Sequence, residues 1–302
     1  MKPLSATDLK GVYTALVTPM QPDGHLDKAA WKSLLEQQIA GGVSGVVVAG
    51  TTGESAVLTD TEFAWLLSSA VETLQGSGIQ VIAQTGSISP HIVIHRNQLA
   101  ASLGAQAALV VVPYYLRTTQ AGLLAHFSAI AEASALPVIL YNVPGRTVTD
   151  MQPETTAKLA AHDNIIGLKE AKADMRRVAW LAENCRDFAV LSGDDDSFLA
   201  AMEKGARGVV SVAANVRPRA MTNIANNALA GQWSQAGKAN NALENLYQLL
   251  AYVPNPMPVK WCLQQAGVIE KGIRLPLVWP PSPPDALNWS AEIESIQKEL
   301  HP

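Results

Sequence analysis

Short apolar runs alternate along this chain with longer stretches whose apolar positions recur at helical spacing. The runs fall at residues 12–17, 45–49, 80–83, 107–112, 138–141, 165–169, 188–192 and 208–212. They are apolar throughout instead of alternating with polar positions, the pattern of strands covered on both faces. Helical patterns lie at residues 28–40, 59–74, 90–103, 120–133, 153–161, 174–183, 195–204 and 218–230. Start signals agree with these boundaries. Thr59-Asp60-Thr61-Glu62 has the form of a capping box, and Pro153 and Pro218 suit a first helical turn. Eight strand-helix units within residues 1–230 predict an α/β fold, a (β/α)8 TIM barrel carrying the active site. A doubly wound sheet would not favour eight evenly spaced units, and its GxGxxG turn is absent.

Residues 231–302 hold no strand pattern. Residues 233–250 and 257–266 read as helices, broken apart by Pro254-Asn255-Pro256, and the proline run at 280–284 reads as extended chain. The expected second region is therefore a helical C-terminal appendage.

Composition removes several function classes. The chain has 302 residues, 48% of them hydrophobic, enough to bury a core without disulfide or metal staples. A net charge of -4, with no run of Lys or Arg, gives no footprint for nucleic acid. No apolar stretch approaches the ~20 residues of a membrane span. The first eight residues lack the apolar core of a signal peptide, and the two cysteines, Cys185 and Cys262, are far apart. A cytoplasmic protein is expected. His91 and His95 have helical i, i+4 spacing but no acidic ligand or HExxH context, so they read as an exposed helix face. No metal or organic cofactor is expected.

The chemistry collects where the predicted strands end. Residues 165–169 run Ile-Ile-Gly-Leu-Lys, which places Lys169 at the end of a buried strand. Lysine is rarely buried without a partner. Desolvation would lower its pKa and leave a nucleophilic amine, whereas snorkelling would carry the head group to water. Gly50-Thr51-Thr52-Gly53-Glu54-Ser55 follows the second strand and fits neither a P-loop nor a nucleophile elbow. Its hydroxyls and backbone N–H groups suit a small carboxylate, or form a plain turn before a capped helix. Tyr114 and Tyr115 follow the fourth strand as packing aromatics or site residues. Arg146 follows the fifth on a Pro-Gly turn, either a surface arginine or a fork for a carboxylate. The Asp194-Asp195-Asp196 run reads as a solvated helix N-terminus.

Three motifs carry a wider resemblance: GTTGES at residues 50–55, YNVPGRT at 141–147 and IIGLKEA at 165–171. Supporting stretches are VVPYY at 111–115, LSGDD at 191–195, GVVSV at 208–212 and NPMPVKW at 255–261. With these motifs in order, the chain resembles the dihydrodipicolinate synthase / N-acetylneuraminate lyase family of class I aldolases, from about residue 12 to residue 277. Thr51-Thr52 and Arg146 resemble the branch that joins pyruvate to aspartate semialdehyde. The alternative acceptors belong to the neuraminate lyases and the 4-hydroxy-2-oxoglutarate aldolases.

The resemblance implies a role for each residue. Lys169 would form the Schiff base with pyruvate and Tyr141 would be the acid/base beside it. Thr52 would link Tyr141 to Tyr115 in a proton relay, with Tyr115 supplied by the neighbouring subunit of a dimer. Thr51 and Thr52 would hold the pyruvate carboxylate, and Arg146 the carboxylate of aspartate semialdehyde. Gly193 and Val210 would lie against the substrates. A homodimer or homotetramer is implied. Lysine-sensitive members carry polar residues in an interface pocket near the position of Tyr114. The aligned positions here are Asp60, Phe63, Ile88 and Ile92, and isoleucines cannot hold a zwitterion, so weak or absent feedback by lysine is expected.

Overall fold

The computed structural model describes residues 2–301. Eight parallel strands form a closed barrel in chain order. They are β1 (Gly11–Ala15), β2 (Gly45–Val48), β3 (Gln80–Gln84), β4 (Ala107–Val111), β5 (Val138–Asn142), β6 (Ile165–Glu170), β7 (Ala189–Ser192) and β8 (Gly208–Ser211). Every position in them is buried except half-buried Gln80, which is why the sequence runs read as apolar instead of alternating. The helices are α1 (Lys28–Gly41), α2 (Asp60–Thr73), α3 (Pro90–Ser102), α4 (Gln120–Ala133), α5 (Pro144–Thr147), α6 (Pro153–Ala160), α7 (Met175–Asn184), α8 (Phe198–Glu203) and α9 (Pro218–Leu229). The C-terminal helices are α10 (Trp233–Asn241), α11 (Glu244–Ala251), α12 (Met257–Gln265) and α13 (Trp289–Leu300). The expected (β/α)8 barrel with C-terminal helices is the observed fold.

Local chemistry sets the helix starts. The Thr59 hydroxyl accepts from Glu62 N at 3.2 Å, while the Glu62 carboxylate accepts from Thr59 N at 2.9 Å, completing the expected capping box. Asp27 caps α1 by accepting from Ala30 N at 3.0 Å, and Gly42 closes that helix in the left-handed region, φ 70°. Pro153 and Pro218 begin their helices as expected.

Four local expectations differ from the structure. Helix α8 begins at Phe198: residues 195–197 form a turn before it, and Asp194 is tied back to Ser192, its N donating to the Ser192 hydroxyl at 3.2 Å and its carbonyl accepting from that hydroxyl at 3.1 Å. The Pro-Gly turn after β5 is one turn of helix, α5. The expected helix over 233–250 breaks at Ala242-Leu243: Leu243 is buried, the preceding Asn240 and Asn241 are weak helix formers, and the Tyr247 hydroxyl donates to Asn240 Oδ1 at 3.0 Å across the corner. Helix α13 was hidden in the sequence behind the proline run, although its buried Ile293, Ile296 and Leu300 have helical spacing. Burying each such side chain stabilises by about 1.5–3 kcal/mol.

The chain divides into two compact units. One comprises Met1–Gly11 with Val81–Val210. In it, Gly11 N donates to the Arg207 carbonyl at 2.9 Å, and a Cβ on Gly208 would collide with the Gly11 backbone. The other comprises Val12–Gln80 with Ser211–Pro302. Its polar centre is Glu54, a buried residue in the left-handed region at φ 58°. Glu54 Oε1 pairs with the fully buried Lys260, and Glu54 Oε2 accepts from Arg274 N at 3.1 Å. Arg274 in turn pairs with Glu62 and donates to the Val57 carbonyl at 2.8 Å. Trp261 and Trp289 meet edge to face at 5.4 Å.

Removing one member of a buried ion pair leaves an uncompensated charge. Lys260→Met is expected to lower unfolding free energy by about 3–5 kcal/mol, read by urea denaturation, with Glu54→Gln/Lys260→Met recovering most of it. A single variant as stable as the wild type would show that the pair is immaterial to the fold.

Candidate active site

Strands β4 to β7 run parallel, so their C-terminal ends share one end of the barrel, where barrel active sites sit. Tyr141 and Lys169 are register partners on β5 and β6. Lys169 Nζ lies 4.3 Å from the centroid of the Tyr141 ring, and both residues are buried. The lysine therefore does not snorkel: the residue is 7% exposed and its amine lies against a tyrosine face. Gly193 follows β7 and flanks the same lysine. A Cβ there would lie 3.1 Å from Lys169 Cε and 2.6 Å from Ala171 Cβ, so this position admits only glycine without displacement. Val210 lies buried on β8.

The neighbouring loops carry the other expected residues. Arg146 is exposed on α5, and its backbone N donates to the Val143 carbonyl at 2.9 Å. Val148 closes that turn at φ 61°, a left-handed conformation costly for a β-branched residue. Tyr115 is 87% exposed and also left-handed, φ 70°. Such strain, about 1–3 kcal/mol, concentrates at functional sites.

Thr51 and Thr52 belong to the other unit, in the turn after β2. Thr52 is buried, and its Oγ1 accepts from Asn255 Nδ2 at 2.9 Å. The turn is held by Thr18, whose hydroxyl donates to the Gly53 carbonyl at 2.7 Å, and by the Glu54–Lys260 pair. The C-terminal helical region thus reaches this turn twice, through Asn255 and Lys260. Neither residue stood out in the sequence, although both lie in the NPMPVKW stretch.

The Asp194 environment differs from the solvated helix terminus expected. Burial pushes its carboxyl up to about 6, and Asp196 and Asp195 push the same way against the pull of Lys169. His91 and His95 lie on an exposed helix face, as expected. Among the described residues no group of three or more His, Cys, Asp and Glu is placed to hold a metal. No helix among them is long and apolar enough to cross a membrane.

Residues 8–282 match the model of the Dihydrodipicolinate synthetase family. The chain belongs to that family. It is a lyase of this family, as the motifs in it led us to expect. The chain is 50% identical over 271 residues to the 4-hydroxy-tetrahydrodipicolinate synthase of Xanthomonas campestris pv. campestris, covering 89% of each chain. It is 47% identical over 268 residues to the synthase of Acidithiobacillus ferrooxidans, covering 88% of this chain and 92% of that one. Among solved structures, the chloride-inhibited dihydrodipicolinate synthase from Acinetobacter baumannii in complex with pyruvate superposes with a TM-score of 0.90 at 39% identity, covering 97% of this chain and 99% of the other.

Asp194 ionises near pH 3.8 in an unfolded chain and near 6 in this fold. The folded state therefore holds the proton more tightly, and its stabilising effect, complete below about pH 4, is lost as pH rises through about 6. Asp194→Asn, which cannot ionise, is expected to gain in melting temperature relative to the wild type as pH rises from 4 to 7. Parallel melting curves across that range would contradict this.

Proposed function

We propose that this chain joins pyruvate to L-aspartate 4-semialdehyde, giving 4-hydroxy-tetrahydrodipicolinate in lysine and diaminopimelate biosynthesis. The observation that carries the reading is the buried Lys169 amine over the Tyr141 ring, at the C-terminal ends of adjacent strands. The Lys169 amine condenses with the pyruvate ketone and releases water. The iminium draws electron density from the methyl group, which loses a proton and leaves an enamine. The enamine carbon attacks the semialdehyde, whose aldehyde oxygen takes up a proton. The semialdehyde's own amine then displaces Lys169 and closes the ring.

Proton transfers in both directions require a group within hydrogen-bond reach. Tyr141 takes that role, relayed through Thr52 and Tyr115. The high exposure and left-handed backbone of Tyr115 support its use across a subunit interface, in a homodimer or a homotetramer. Thr51 and Thr52 hold the pyruvate carboxylate, with their turn anchored by Asn255 and Lys260. Arg146 holds the acceptor carboxylate through its planar fork, which suits a short acidic aldehyde better than a sugar. Gly193 leaves room beside Lys169, and Val210 presents its backbone carbonyl to the substrates. The chemistry uses a covalent pyruvate adduct in place of any metal or organic cofactor, and takes place in the cytoplasm.

Borohydride reduction with pyruvate is expected to fix a stable adduct on Lys169, located by peptide mass mapping, and aspartate semialdehyde is expected to turn over. Label on another lysine, or none, would refute the mechanism. Ile88 is half-buried and Ile92 exposed, Phe63 is buried, and none of these apolar side chains can pair with a zwitterion. Turnover is therefore expected to be unaffected by sub-millimolar lysine; a dose-dependent loss of rate in that range would overturn this part of the reading.

A further inference from the structure

Behind Tyr141 and Lys169 lies a polar network that the proposed chemistry does not use. Side chains alternate along a strand, so Asn142 and Glu170 point away from their neighbours Tyr141 and Lys169. They are register partners, and both are buried. Asn142 Nδ2 donates to Glu170 Oε1 at 2.9 Å and to Asp150 Oδ1 at 2.9 Å. Arg177, on α7, pairs with Glu170 at 3.1 Å through Nε and with Asp150 at 2.9 Å through Nη1. Its Nη2 donates to the Met151 carbonyl. Asn142 Oδ1 accepts from Met151 N at 3.0 Å. Lys172 closes the outer side on Asp150 at 2.7 Å.

The geometry of this network has one unusual property. It grips the segment after β5 at both ends, at Asn142 and at Asp150-Met151. Between them lies the short turn that carries Arg146 and ends in the strained Val148. A left-handed β-branched residue persists only where its surroundings over-determine the backbone. Arg146 is carried on this turn, so where its side chain starts from is set by the placement of the turn. Stability alone does not explain the network, because apolar side chains can replace buried ion pairs with no loss.

We propose that Asn142, Asp150, Glu170 and Arg177 form a positioning clamp that sets the Arg146 turn for the acceptor's carboxylate and so determines acceptor specificity. The clamp rests on the reading of Arg146 as the ligand of that carboxylate. It acts on the second half of the reaction: pyruvate condenses at Lys169 on the strand itself, while the acceptor meets the clamped turn.

The test uses the full-length enzyme and two substitutions, Arg177→Lys, which keeps the charge but loses the fork, and the milder Asp150→Asn. Borohydride labelling of Lys169 with pyruvate is expected to match the wild type in both. KM for aspartate semialdehyde is expected to rise about 10-fold or more while kcat changes by less than about 3-fold. In an Arg146→Ala background the same substitutions are expected to add less than about 2-fold to KM, because the turn no longer presents the ligand. Equal losses of KM with and without Arg146 would overturn the proposal, as would a fall in kcat and labelling at unchanged KM. If Arg177→Lys does not fold, Asp150→Asn decides alone by the same readings. Failure of the parent reading has a separate signature: wild-type enzyme unlabelled by pyruvate, or Arg146→Ala with unchanged KM for the semialdehyde, overturns both.

Discussion

A buried lysine and a buried glutamate stand on consecutive residues of one strand, Lys169 and Glu170. The pleat sends them to opposite faces, and each face must satisfy its own polar group. On one side the lysine lies over the Tyr141 ring. On the other, burial pushes the Glu170 carboxyl up to about 7, against the pull of Arg177 and Asn142. Much of the surrounding unit answers this constraint. Arg177 is fixed by Asp174, which caps its helix and accepts from its backbone N at 3.3 Å. Asp150 is fixed by Arg177, and the chain between β5 and Asp150 is fixed in turn.

The other unit repeats the device with different residues. Glu54 is buried in a left-handed turn, and the groups that answer it, the Lys260 side chain and the Arg274 backbone N–H, come from the C-terminal region. In both units a buried carboxylate anchors a turn from behind, and the turn presents a residue proposed to touch substrate: Thr52 in one case, Arg146 in the other. Each turn draws its rigidity from the buried carboxylate behind it.

The barrel was legible because every strand is covered on both faces, which leaves continuous apolar runs separated by capped helices. That Lys169, Tyr141 and Gly193 meet at one end of the barrel was legible because each stands at or just after the end of a predicted strand. What escaped was the support. Asn142, Glu170, Asp150 and Arg177 are polar, and a polar residue in a sequence looks solvated until the fold shows it buried. Asn255 and Lys260 escaped for another reason, since their partners lie 203 and 206 residues away and no local pattern records such a pairing. Helix α13 was within reach, its periodicity intact, but the prolines before it drew the reading toward extended chain.

The division of the chain carries a consequence for synthesis. The unit built from Met1–Gly11 and Val81–Val210 has all of its residues once Val210 has emerged from the ribosome. The unit containing Val12–Gln80 does not, since Ser211–Pro302 are still to come. Its early strands are apolar on both faces and Glu54 lacks its Lys260 and Arg274 partners for the whole interval. Non-local pairings of this kind fold slowly and leave sticky surface exposed meanwhile. The nascent chain therefore has its greatest need of chaperone protection in an early segment, and that need ends only when the last helices arrive.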